Sequence, residues 1–447
     1  MTISFMMMLS PSSFLCLSKQ WFIKHSLSLK TMKFNDLGLK PELMKAVVEL
    51  GFEEATPIQV KCIPLIREGK DVVGQSGTGS GKTAAFGFPM LEIVQPRQGI
   101  QALILTPTRE LCVQVHDSLR SFGKHVHIKT TAVFGGVGIG PQIDNLRHAE
   151  IVVGTPGRIL DHLERRTLRL DKVKVFVLDE ADKMFEMGFV EDVERIMSQV
   201  PKQRQTLLFS ATIPSSVNAL IKRHLHDPVT IRTNAHVDRS LLRQVYFNVQ
   251  QQEKFSLLVH LLKHKTPGLA MVFCATRRET DVVAKNLMKN GVEAMAIHGG
   301  LSQNKRLHVL DQLKKSHIDV MVATDVAARG LDVKNISHVY NYDVPNTSDE
   351  YTHRIGRTAR AGAEGDAVTM LTERDYDNFN NVLRDRSLHI LKAELPQFER
   401  VVFVRGESYG NRGGGPRGQG FGGRGAGHRR GGGFGTHRGS SSGSRHR

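Results

Sequence analysis

The sequence predicts an α/β chain: two parallel-sheet domains in tandem, followed by a C-terminal tail with no core. Three observations predict it. Short β-branched runs alternate with longer amphipathic stretches through most of the chain, the pattern of strand and helix units whose strands run parallel. The alternation stops at the polar stretch 234–240 and then restarts. From about Arg405 it gives way to Gly, Arg and Ser with isolated Phe, a composition too poor in apolar surface to order itself.

Residues 1–31 are rich in Met and Ser, contain no Asp or Glu, and follow neither a helical nor a strand period. They lack a leading basic region and a small-residue cleavage site, which speaks against a secretory signal and leaves organelle transit as the alternative. Because Met32-Lys33-Phe34 opens the periodic part, translation is expected to begin at Met32. The first domain is assigned to 32–233, with strands at Asp71-Val72-Val73, 101–107, 151–156, 173–180 and 205–212. Residues 234–240 form the linker. The second domain, 241–403, has strands at 270–276, 293–299, 319–325, 338–344 and 367–371, and the disordered tail is 404–447. Several strands end where a motif begins, as an open α/β sheet requires, since its ligands bind beyond the carboxyl ends of the strands.

At 447 residues the chain exceeds one ordinary domain of about 100–200 residues. With 40% hydrophobic and 23% charged residues it has the balance of a soluble globular protein, and no stretch reads as a membrane span. A formal charge of +17 points to a polyanionic partner, because Lys and Arg that neutralise phosphates release condensed counterions. Cys16, Cys62, Cys112 and Cys274 are scattered with no CxxC pair, which argues against zinc and against a disulfide framework. A reducing, cytoplasmic setting is expected.

The run Ser76-Gly77-Thr78-Gly79-Ser80-Gly81-Lys82-Thr83 follows a strand and precedes the helical pattern Ala84-Ala85-Phe86. Glycines there let backbone N–H groups point into a concavity that cradles phosphate. Lys82 would reach the β- and γ-phosphates of ATP, and the Thr83 hydroxyl would ligate Mg²⁺. The strict GxxxxGK[ST] pattern fails only at its first position, Ser76. A nucleotide triphosphatase needs an acidic partner site, and Val175-Phe176-Val177-Leu178 delivers Asp179 and Glu180 at the end of a buried strand. Asp179 is assigned to Mg²⁺, and Glu180 to orienting and deprotonating the attacking water.

Asp179-Glu180-Ala181-Asp182 is the signature of the DEAD-box ATP-dependent RNA helicases, and from about Phe34 to Gly362 the chain resembles the whole helicase core of that family, motif after motif. The resemblance implies two RecA-like domains. It also implies adenine recognition by a Q motif made of Phe34 and residues 51–59, with Phe52, Thr56 and Gln59 on the base. Ala55 stands where the family usually has Pro. Ser210-Ala211-Thr212, with Asp182 and His353, is implied to couple hydrolysis to unwinding. Arg357 and Arg360 are implied as arginine fingers on the γ-phosphate, and Asp332 as a ribose contact. Ala359 stands where Gly is commoner. RNA backbone contacts are implied for Pro107, Thr108, Arg109, Gly135, Gly136, Thr155 and Arg158 in the first domain, and for Arg277, Gly299 and Thr324 in the second. Such contacts read no base identity.

The expected activity is RNA-stimulated ATP hydrolysis coupled to local, sequence-independent duplex unwinding and remodelling of ribonucleoproteins, by a monomer without a membrane partner. An ATP-gated RNA clamp with little unwinding is the alternative from another class, and a DNA helicase with a related core is a third. The tail, with Arg417-Gly418, Arg424-Gly425, Arg429-Arg430-Gly431 and Arg438-Gly439 among Phe421 and Phe434, resembles an RGG segment suited to tethering RNA through charge and stacking.

Overall fold

Apolar runs such as Ala102–Leu105 and Val175–Asp179 are buried along their whole length, which is what strands covered by helices on both faces require. The computed structural model describes residues 32–77, 79–233, 241–266, 268–328, 331, 333, 336–359 and 364–405. The segment 1–31, the linker 234–240, the tail from 406, and Thr78, Arg329, Gly330, Asp332 and Arg360 lie outside the described residues.

The first sheet contains β1 (Val72–Gln75), β2 (Ala102–Leu105), β3 (Thr130–Val133), β4 (Ile151–Gly154), β5 (Val175–Asp179), β6 (Gln205–Ser210) and β7 (Val229–Arg232), in the spatial order β3-β4-β2-β5-β6-β1-β7. The second contains β8 (Leu242–Asn248), β9 (Leu269–Phe273), β10 (Ala294–Ile297), β11 (Val320–Ala323), β12 (Ile336–Asn341), β13 (Gly365–Leu371) and β14 (Leu391–Lys392), in the order β10-β11-β9-β12-β13-β8-β14. Counted from its own first strand, each sheet has the same order, and every pairing in both is parallel. This is the tandem α/β arrangement that the alternation of runs predicts.

The period of two along each strand divides the core. Ala102 and Ile104 face one apolar cluster and Leu103 and Leu105 the other. Ala270 and Val272 against Met271 and Phe273 repeat this in the second sheet. Strands β3, β7, β8 and β14 were not among the sequence-expected ones. β7 is an edge strand with alternating half-buried and exposed residues, so it carries no apolar run.

Functional side chains are carried by α1 (Pro57–Arg67), α2 (Lys82–Ile93), α3 (Arg109–Phe122), α4 (Pro156–Glu164), α5 (Ala181–Glu186), α6 (Lys254–His264), α7 (Arg277–Lys289), α8 (Gln303–Lys314) and α9 (Ser348–Ile355). After β14 the chain crosses α6 and α7 as an extended strap. Phe403 packs on Phe255, and Asn286 both donates to the Val404 carbonyl and accepts from its N–H. Packing therefore reaches Val404, one residue into the expected tail. Burial pushes the thiols of Cys62 and Cys112 up to about 12, and Cys274 is raised as well by burial.

Candidate active site and RNA-facing surface

Strand order decides which motifs meet. β6 lies between β1 and β5, so its carboxyl end separates the phosphate loop from the acidic pair, and Ser210 bonds the loop on one side and Asp182, two residues beyond the pair, on the other. The Ser210 carbonyl accepts from Ser76 N–H at 2.9 Å, while its hydroxyl accepts from Asp182 N–H at 3.1 Å. The Asp182 carboxylate accepts from the Thr212 N–H at 2.8 Å and the Thr212 hydroxyl at 2.9 Å. Gln75 donates to the Ala211 carbonyl at 3.3 Å.

The phosphate loop turns into α2 through Gly81, whose φ of 90° belongs to the left-handed region that glycine adopts without strain. Lys82 is buried, and its ammonium donates to the carbonyls of Ser76 at 2.9 Å and Gly77 at 3.0 Å. Ser80 donates to the Gly77 carbonyl and approaches the Ser76 hydroxyl. Gly79 has a φ of 77°, and Thr83 follows Lys82 in the first turn of α2.

Gln59 is buried on α1. Its carbonyl accepts from Thr56 N–H at 2.9 Å and its amide donates to the Gly81 carbonyl at 3.2 Å. The Q segment is thereby tied to the phosphate loop, leaving Gln59 one further amide N–H. Phe52 is half buried, with its ring 5.6 Å from Phe34 and 6.2 Å from Phe122.

Asp179 ends β5, and Glu180 follows with φ 54° and ψ 51°, a left-handed conformation that turns its carboxyl back into the site. Burial pushes Asp179 up to about 7, Lys82 opposes that rise and Glu180 adds to it. Burial also acts to raise Glu180, but Lys183, Lys82 and Arg357 outweigh it and hold the carboxyl below its ordinary value. Lys183 lies 3.0 Å from Glu180 Oε1 as a buried pair. Sequence reading passed over it, although a basic residue at i+3 from Glu180 was a visible signal. Asp179 Oδ1 and Glu180 Oε2 are buried without a hydrogen-bond partner among the described residues, a pair of oxygens whose chemistry suits a hard cation.

Arg357 is buried, donates to the Leu331 carbonyl at 2.8 Å, and lies close enough to Glu180 and Lys183 to influence both electrostatically. His353 lines a recess with Phe273, Asp325, Arg354 and Arg357. Thr78, Asp332 and Arg360 fall outside the described residues.

The RNA-facing candidates follow one plan in both halves. Thr108 caps α3 by accepting from Leu111 N–H, Thr276 caps α7 by accepting from Glu279 N–H, and each cap fixes an exposed Arg in the first helical turn. Arg109 lies along Gly135 and Gly136, and Arg277 along Gly299 and Gly300. Gly136 has a φ of 82°, and a Cβ there would overlap the Arg109 guanidinium. Thr155 precedes α4 and donates its N–H to the Val133 carbonyl, and Arg158 reaches the Val137 carbonyl at 3.2 Å. Pro107 is buried beside Thr108. The Thr324 carbonyl accepts from the N–H groups of Ala327 and Ala328 beyond β11. A contact between the halves joins α3 to α8: buried Glu110 accepts from Gln303 at 2.9 Å and pairs with Arg306 at 3.2 Å.

The family described as DEAD/DEAH box helicase matches residues 56–220, and the helicase conserved C-terminal domain matches 253–362. The ATP-dependent RNA helicase CshA of Listeria monocytogenes is 51% identical over 372 residues, covering 83% of this chain and 72% of the relative. That of Limosilactobacillus reuteri is 45% identical over 373 residues, covering 83% and 75%. Among solved structures, Saccharomyces cerevisiae Dbp5 bound to RNA and ADP BeF3 aligns with a TM-score of 0.73 at 31% identity, over 81% of this chain and 96% of that one. A DEAD box protein from Methanococcus jannaschii aligns with a TM-score of 0.51 at 43% identity, over 81% and 99%.

Proposed function

The chain belongs to the DEAD-box family of ATP-dependent RNA helicases, and from that membership we propose that it couples RNA-stimulated ATP hydrolysis to local, sequence-independent unwinding of RNA duplexes and remodelling of ribonucleoproteins. One observation carries the coupling: Ser210 bonds the phosphate loop through its carbonyl and the Asp182 segment through its hydroxyl. A shift of the loop on binding or losing the γ-phosphate therefore reaches the acidic segment through one residue.

In this reading two RecA-like domains, 32–233 and 241–403, are joined by 234–240. Adenine is met by Phe52, Thr56 and Gln59, and the phosphates by residues 76–83. Lys82 exchanges the loop carbonyls of Ser76 and Gly77 for phosphate oxygens. Thr83 and Asp179 would hold Mg²⁺, whose charge would neutralise the phosphate oxygens, and Asp179 Oδ1, with no hydrogen-bond partner among the described residues, supports that assignment. Glu180 orients the attacking water. Arg357 and Arg360 stabilise the charge that builds during in-line transfer, an effect of about 10³–10⁵ in rate for such fingers. Asp332 takes the ribose.

RNA runs over Pro107, Thr108, Arg109, Gly135, Gly136, Thr155 and Arg158, then Arg277, Gly299 and Thr324. With donors aimed at phosphate and sugar, it is bound without base identity. A monomeric, cytoplasmic enzyme with an RGG-type tail that tethers RNA completes the proposal. Among the described residues no helix is long and apolar enough to cross a membrane.

The test is ATP turnover with poly-RNA, poly-DNA and neither, beside strand displacement on short duplexes. RNA-selective stimulation with displacement is expected. Equal stimulation by DNA overturns the RNA assignment, and stimulation with long RNA lifetimes but no displacement selects the clamp. Glu180→Gln is expected to keep ATP and RNA binding while turnover falls by about 10² or more, and Lys82→Ala to lose ATP binding or turnover. Wild-type turnover in Glu180→Gln removes that residue from the chemistry.

A further inference from the structure

Buried in the second half, away from the phosphate loop, are charges that the mechanism above does not use. Lys254, at the start of α6, is 2% exposed in its side chain, which is rare for lysine unless it is paired. Its ammonium lies 3.1 Å from Asp343 Oδ1, 3.6 Å from Asp375 Oδ2 and 4.8 Å from the Tyr342 ring centroid. The other Asp343 oxygen, Oδ2, accepts the backbone N–H of exposed Ala275 at 2.8 Å. The Asp343 main chain is engaged as well: its N–H donates to the Phe273 carbonyl, and its carbonyl accepts from Arg354.

These contacts join two surfaces with different ligands. Ala275 precedes the Thr276 cap and Arg277, the guanidinium lying along Gly299 and Gly300 on the RNA-facing side. Arg354 is anchored to Asp325 by two contacts of 2.6 Å and sits on α9, one turn before the finger Arg357. A single residue therefore binds the turn that presents Arg277 through its side chain, and the helix that presents Arg357 through its carbonyl.

We propose that Asp343, clamped by Lys254, is a positioning residue that locks the RNA-facing turn at Ala275–Arg277 to the nucleotide-facing helix α9, so that RNA grip and ATP occupancy move as one. This rests on the reading of Arg277 as an RNA contact and Arg357 as a finger. Glu279, in the first turn of α7, gives its N–H to the Thr276 hydroxyl at 3.1 Å, so its carboxyl borders the turn that Asp343 holds. It faces Asp343, Lys254 and Asp375. Burial, then the charge of Asp343 and a hydrogen bond to it, raise its carboxyl to about 7. Below that pH the Glu279 carboxyl is mostly protonated and adds no charge beside Asp343. Above it, a further carboxylate repels the one that holds Ala275.

The test measures coupling in the full chain, as the ratio of RNA dissociation constants without nucleotide and with a non-hydrolysable ATP analogue. Lys254→Met combined with Asp343→Leu removes both charges together, a replacement that leaves many folds stable, and also removes the Ala275 tether. Coupling is expected to fall about tenfold, with nucleotide-free RNA affinity and RNA-free ATP turnover changed by less than about twofold. Wild-type coupling in a folded double variant overturns the proposal. Glu279→Gln provides an independent readout that does not require removing the buried pair. Coupling is expected to weaken more steeply from pH 6 to pH 8 in the wild type than in Glu279→Gln, which removes the carboxyl at about 7 and leaves Asp179 to titrate alike in both. An unchanged pH slope in that variant counts against the proposal. Arg277→Ala separates the premise from the proposal: unchanged RNA affinity there sinks the RNA reading, whereas intact coupling in the double variant sinks only the role of Asp343.

Discussion

Thr212 gives both its N–H and its hydroxyl to one oxygen of Asp182, a carboxylate that is 4% exposed. Thr212→Val keeps the shape and removes one donor, so a buried charged acceptor is left short at a cost of about 1–3 kcal/mol. The expected outcome is a lowered Tm and loss of strand displacement, with RNA-stimulated ATP turnover largely retained; displacement at the wild-type rate contradicts the coupling role. At this scale the residues that announce themselves in sequence are charged or hydroxyl groups at strand ends. Asp179 and Glu180 are of that kind, and Lys82 stands at the start of the helix that follows a strand. Asp343 is not, because its partners Ala275 and Lys254 lie 68 and 89 residues away, and no local pattern marks a contact of that span.

Among elements, the capped helix with its Arg laid along a Gly-Gly pair occurs twice, and the glycines are what permit it. Gly136→Ala places a side chain at a φ of 82° and displaces Arg109. RNA affinity by fluorescence anisotropy is expected to fall about tenfold, with the KM for ATP in the absence of RNA unchanged; unaltered affinity removes Arg109 and Gly136 from the RNA path. Strands with continuous apolar runs, such as β5 and β6, were legible because a strand covered on both faces has no polar alternation. β3 and β7 escaped because four residues of mixed burial carry little period, and β8 because it directly follows the polar linker.

The whole molecule repeats one strand order in two sheets, and that was not readable in advance. Sequence gives the succession of strands, while their lateral order is set by right-handed crossovers and by which neighbours cover which face. What joins the halves beside Arg109 is equally non-local, since Glu110 and Gln303 are 193 residues apart. Arg306→Ala leaves buried Glu110 with Gln303 as its remaining partner among the contacts described. RNA-stimulated turnover is expected to drop about tenfold while ATP affinity without RNA holds, because the contact joins the two halves next to Arg109. Turnover at the wild-type level shows that the reaction does not depend on this contact.

The three described cysteines divide between those halves, Cys62 and Cys112 in the first and Cys274 in the second, all buried and all with raised thiols. Alkylating reagents act on exposed thiolate, so in the native state these positions should be silent. They become built-in clocks. In a Cys16→Ser background, a pulse of iodoacetamide during denaturant challenge, read by peptide mass, times the opening of each half separately. Adding ATP analogue and RNA together should slow both clocks to a common rate if ligand binding makes the two halves a single cooperative unit.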